Sequence, residues 1–232
     1  MHEEISYSTT TFSSKGVLVQ CEKALAAAKN GALSLGIQAA NGTVLASLKK
    51  RPSPLVVSSR VQKVHKVCDS IISTYSGLSA DFRAALEIAR EIADDFLKVY
   101  GKYPPLETFV REFSKSIQEK TQKAGLRPIG CVCLFAGAEE RAGLYHIDPS
   151  GSIKSARTFA VGRFFRECAQ FLERRCSEEI EINDAVVIAA LAMREFTETA
   201  ISEEDVDICT VTSEGIHAHS QEEIREIFRS MQ

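Results

Sequence analysis

Apolar residues recur along the chain with two periods, and the period switches several times. Leu18, Cys21, Leu25 and Ala28 stand at helical spacing, and Lys29-Asn30-Gly31 supplies a stop. The stretch predicts a helix of about three turns, with Gln20, Glu22 and Lys23 off its apolar stripe. Two strand-like runs, Ser34–Ala40 and Thr43–Leu48, follow around Asn41-Gly42. That dipeptide between apolar runs signals a hairpin, because both residues tolerate positive φ. The basic loop Lys49–Pro54 is broken by proline, and Val64–Val67 and Ile71–Ser76 read as two more strands.

A long helix is predicted from Leu78 to Tyr100, with Ser79 as its cap and a face of Phe82, Leu86, Ala89, Ala93, Phe96 and Tyr100. Gly101 stops it. Tyr103-Pro104-Pro105 opens a second helix, to about Lys123, with the stripe Phe109, Phe113, Ile117. The run Gly130–Ala136 is continuously apolar, as in a strand buried on both faces. Leu144–Ile147 and Ser152–Ala156 flank Asp148-Pro149-Ser150-Gly151, which suits a type I turn. Helices near Gly162–Cys176 and Asn183–Thr199, a strand near Val206–Val211 and a short helix from Gln221 complete the pattern. Strands, two helices, strands, two helices and a strand lack strict βαβα alternation, so the class is α+β. No repeat or long linker divides the 232 residues, which read as one domain.

Composition narrows the function classes. A net charge of -3 gives no basic footprint for nucleic acid. No apolar run approaches the ~20 residues that span a bilayer, and Met1-His2-Glu3-Glu4 does not suit a signal peptide. The seven cysteines are odd in number, scattered and without a C-x-x-C pair, which argues against disulfide or zinc frameworks and for a reducing compartment, cytoplasm or nucleus.

The segment Tyr7-Ser8-Thr9-Thr10-Thr11-Phe12-Ser13-Ser14-Lys15-Gly16, continued by Val17-Leu18-Val19-Gln20-Cys21-Glu22-Lys23-Ala24, resembles the signature of proteasome alpha subunits. Gly36–Gly42, Ser76–Arg83, Arg127-Pro128-Ile129-Gly130 and Asp148–Gly151 recur in the family's order, so the resemblance spans nearly the whole chain. The Ala39-Ala40-Asn41-Gly42 hairpin is most similar to that of the second ring position. The resemblance implies a four-layer αββα sandwich, two antiparallel sheets between helix layers, of the N-terminal nucleophile hydrolase type. It implies residues 1–16 as a gate tail and 17–30 as a ring-contact helix within one domain, 1–232. Tyr7, Ser8, Phe12, Ser14, Gly16, Gln20 and Lys23 would be its gate and ring contacts. Ser14 stands for the family's usual Pro, Lys23 for its Tyr, and Ser8 where many members have Asp, which implies a weakened gate.

The implied partners are other alpha subunits, beta-ring subunits, the C-terminal tails of regulatory ATPases and unfolded polypeptide. The implied role is gating and docking in ubiquitin-dependent degradation. Lys66 would meet a tail carboxylate as a point charge, although a solvated strand-end lysine is the plainer reading. The related beta type is a threonine protease whose α-amino group serves as base. Matching the hairpin to that type puts Ala32 at the nucleophile and Leu48 at the acid, so no catalysis is expected. The two alternatives are an active beta-type protease and a free-standing binding module. His217 and His219 share a strand face, but no third ligand is recognised beside them, so a surface pair is expected and no metal or cofactor. Cys131 and Cys133 read as core, Asp148 as a turn former, and Glu178, Glu179 and Glu181 as a solvated loop before an Asn183 cap.

Overall fold

The computed structural model describes residues 10–49, 53, 55–138, 142–198 and 200–231. Ten strands and six α-helices occur among them. One antiparallel sheet holds β1 (Ser34–Ala39), β2 (Gly42–Leu48), β8 (Thr158–Val161), β9 (Val206–Thr212) and β10 (Gly215–Ala218), in the order β10-β9-β2-β1-β8. The other holds β3 (Val64–Cys68), β4 (Ile71–Gly77), β5 (Cys131–Gly137), β6 (Gly143–Ile147) and β7 (Ile153–Ser155), in sequence order. Helices α2 (Ser79–Tyr100) and α3 (Leu106–Gln122) cover the second sheet. Helices α4 (Phe165–Arg175), α5 (Ile182–Glu195) and α6 (Gln221–Ser230) lie on the first sheet's side. The αββα layering expected from the resemblance is therefore present.

Alternation along the strands divides the core into three. Cys131, Cys133 and Phe135 of β5 face α2 and α3, where Phe109 and Phe113 meet Phe135 edge-on at 5.2 and 4.8 Å. Val132, Leu134 and Ala136 face the other sheet. Leu35, Ile37, Val44 and Ala46 face α4 and α5. Between the sheets, Leu45 and Ile72 are joined by small polar residues of β1, β2 and β4: Ser34, Thr43, Ser47, Thr74 and Ser76 are all buried. Their hydroxyls are spent on neighbours, as in the 2.6 Å contact of Ser34 with Ser47.

Several local expectations shift. Ala39 pairs with Gly42, so the hairpin turns on Ala40-Asn41 and Gly42 opens β2. None of the three has positive φ. Gly42 is required for space instead, since a Cβ there would lie 2.6 Å from the Val211 carbonyl of the adjacent strand. Leu78, not Ser79, is the N-cap of α2, without a side-chain bond. Asn183 lies inside α5, whose N-cap is Glu181. Helix α4 begins only at Phe165, after Phe164 takes a left-handed φ of 58°. Strand β8 was not foreseen: three short elements crowd residues 153–165, and its four residues show no clean period. Tyr100 ends the α2 stripe but is 65% exposed. Arg51, Pro52 and Pro54 of the predicted loop, with Lys50, lie outside the described residues. No helix among those described is long and apolar enough to cross a membrane.

Candidate functional site

The helix ahead of β1, α1 (Val19–Lys29), seats on β4 and β5 and inserts Ala28 and Leu25 between the sheets. Its apolar stripe drives the contact, and hydrogen bonds fix the exit. The Ser76 hydroxyl reaches the carbonyls of Ala28 and Ala32, each at 2.9 Å. The Arg163 amide donates to the Gly31 carbonyl at 3.0 Å. Gly31 packs so closely on β4 that a Cβ would stand 2.2 Å from the Gly77 nitrogen. The Gly31–Ala32 peptide is therefore held on both sides.

Ala32 and Leu48 occupy the positions that resemblance gives to a nucleophile and an acid, and neither can do that chemistry. The Leu48 amide is bonded to the Leu33 carbonyl at 2.9 Å. The hydroxyls nearby belong to Ser34 and Ser47, both fully buried. Ser34 donates to the Tyr75 carbonyl at 2.7 Å and Ser47 to that of Leu33 at 3.4 Å.

The sequence reading missed the charged group at this end of the sandwich. Lys63 is buried, with its ammonium 3.0 Å from the Tyr75 carbonyl and 3.5 Å from the Tyr75 ring centre. Burial pulls its pKa down to about 8, against the opposing pull of Cys131 and Asp207. Asp207 accepts the Lys63 amide at 2.6 Å and pairs with the Lys49 ammonium at 2.6 Å. The available signal was spacing: Lys63, just ahead of β3, stands two residues before His65 and four before buried Val67.

Lys66, the residue singled out for a tail carboxylate, points to solvent. Its ammonium pairs with Asp69 at 2.6 Å, and both side chains are more than half exposed. That hydrogen bond raises its pKa. Lys66 lies on β3, an edge strand of its sheet, and its carbonyl accepts from the Arg90 guanidinium at 2.9 Å.

The gate and ring residues divide. Tyr7 and Ser8 lie outside the described residues. Phe12 is 69% exposed, and Ser14 and Lys23 are exposed. Gln20 is half-buried. Ser13 to Gly16 form a turn, closed by the Gly16 amide on the Ser13 carbonyl at 2.9 Å. Phe12 and Gly16 come together with Leu18, Cys21, Leu25 and Pro149 around an open groove of about 320 Å³. Lys66 is absent from that groove.

Comparison with known proteins adds a family. Residues 28–211 match the proteasome subunit family. The chain is 39% identical over 218 residues to proteasome subunit alpha type-2 of Saccharomyces cerevisiae, covering 93% of this chain and 87% of that protein. It is 39% identical over 214 residues to proteasome subunit alpha type-2-B of Arabidopsis thaliana, covering 92% and 91%. Against proteasome subunit alpha type-2 of Trypanosoma brucei brucei, identity is 36% over 224 residues, covering 96% and 97%.

Proposed function

The chain belongs to the proteasome subunit family, and from that premise we propose that it is a non-catalytic alpha-type ring subunit. One observation carries the reading beyond the relatives' names. The α1 helix precedes β1 and seats on β4 and β5, where an N-terminal nucleophile enzyme needs a free amine at the start of its first strand. Ala32, at the nucleophile position, has no hydroxyl or thiol, and its carbonyl is held by Ser76.

In this reading the chain takes one place in the heteroheptameric outer ring of the 20S particle and docks on the beta ring. Heterologous contacts between neighbours close such a ring by rotation. Residues 17–30 and the exposed Phe12 contribute to those contacts, and residues 1–16 restrict the entry of unfolded polypeptide. Lys66 would take a regulatory tail's carboxylate in exchange for Asp69, in service of ubiquitin-dependent degradation in cytoplasm and nucleus. Nucleic acid and membrane are not among the partners.

The test is native purification of the tagged chain. A very large particle holding this chain once per seven-membered ring, with its intact mass including residues before Ala32, supports the proposal. Recovery as a free chain, or as a processed form labelled by a threonine-directed electrophile, overturns it.

A further inference from the structure

His217 and His219, set aside in the sequence for want of a third ligand, acquire one in the fold. Helix α6 begins just beyond β10, and its first turn returns Glu223 to the two imidazoles. One ligand atom from each of the three residues lies within 4.8 Å of the other two. The Nε2 of His217 is 2.9 Å from Oε1 of Glu223, and the two rings meet edge-on with centroids 4.7 Å apart. The Nε2 of His219 is buried and has no hydrogen-bond partner. An orphaned buried imidazole nitrogen is costly unless something satisfies it.

The geometry points to a site for a divalent transition-metal ion, Zn²⁺ foremost, held by His217, His219 and Glu223. Each ligand is positioned by its own support. The His219 amide donates to the Ile208 carbonyl at 3.0 Å, extending the β9–β10 ladder and holding the histidine in register. Glu223 is fixed by a capping box: its Oε2 accepts the Ser220 amide at 2.6 Å, while its own amide donates to the Ser220 hydroxyl at 3.3 Å. Oε1 is thereby left towards the histidines. Outer partners that orient ligands in this way are typical of metal centres.

Two imidazoles and one carboxylate suit zinc and its neighbours in the first transition row, whereas calcium and magnesium prefer oxygen alone. Three protein ligands would leave a fourth tetrahedral position open to water on the exposed His217 side. Bound metal would tie helix α6 to β10, an edge strand of its sheet.

Cobalt(II) serves as a visible probe, added to the full-length chain and displaced by Zn²⁺. The expected result is one equivalent with a tetrahedral d–d absorption, lost on zinc addition. His219→Gln and Glu223→Gln should each weaken binding at least about tenfold. Glutamine at 223 can still complete the capping box, so unchanged metal-free unfolding in that variant separates lost ligation from lost folding. No stoichiometric absorption, or one untouched by both substitutions, overturns the site and leaves His217 and Glu223 as an ordinary surface pair.

Discussion

Replacing Lys63 with methionine asks whether the ammonium at the end of the sandwich is a charge that the fold carries at a cost. Burial lowers its pKa from 10.5 to about 8. At about 1.4 kcal/mol per unit, the folded chain disfavours the charged form by about 3 kcal/mol. Between pH 8 and 10.5 the unfolded chain keeps this proton and the folded chain has lost it, so stability rises with pH across that window. The penalty is complete below pH 8 and gone above pH 10.5.

Methionine is similar in length and does not titrate. The substitution strands no buried partner: the Tyr75 carbonyl keeps the Ser34 hydroxyl at 2.7 Å, and Asp207 keeps Lys49 at 2.6 Å. The stability of Lys63→Met minus that of the parent should therefore fall by roughly 2–3 kcal/mol from pH 7 to pH 10. Urea unfolding of the full chain gives the number, followed by circular dichroism because the chain has no tryptophan. A difference flat to within about 0.5 kcal/mol over that range would refute the reasoning, since a lysine with an ordinary pKa titrates alike in both states.

Ser14→Pro should stabilise the turn before α1. The Gly16 amide on the Ser13 carbonyl makes Ser14 the second residue of a turn, where proline is favoured and no described bond uses its N–H. The gain is about 0.4–1 kcal/mol, read as trypsin cleavage after Lys15 slowed roughly twofold to fivefold. Asp81→Asn should cost about 1–2 kcal/mol at pH 7, because Asp81 receives the Arg127 guanidinium and the Gly130 amide. The Arg127 hydrogen bond holds the Asp81 pKa below 3.8, so that stability is present above 3.8 and lost as pH falls through the lower folded value. Urea midpoints of variant and parent should therefore converge once the pH has fallen below that lowered folded value. Gly31→Ala should cost at least about 1–3 kcal/mol by overpacking, and hydrogen exchange should show α1 losing protection before the sheets.

Much of the fold was legible because its periods are clean. The continuous run of β5 and the Phe109, Phe113, Ile117 stripe of α3 are buried as read. What escaped depends on contacts distant in sequence. Gly42 opens a strand because Val211 of β9 crowds it, not because a turn needs its φ. Lys63 is buried while Lys66 is exposed, and charge alone does not reveal which lysine faces inward. Glu223 falls within the short helix read from Gln221, and only the return of α6 to β10 makes it a neighbour of the histidines. The apolar positions report the layers, while the polar groups acquire meaning from their partners.

The seat of α1 has a consequence for how the chain is made. Helix α1 leaves the ribosome before its anchors, which are the Ser76 hydroxyl, 48 residues beyond Ala28, and the Arg163 amide, much further on. The helix therefore waits for segments made later. Until β4 and β5 are synthesised and paired, its apolar stripe has nowhere to bury. Closing so long a loop is a slow step, and domains left waiting in this way expose surface that other chains can capture. For this protein the interval between synthesis and closure of α1 is when a chaperone, or a misplaced neighbour, would first find it.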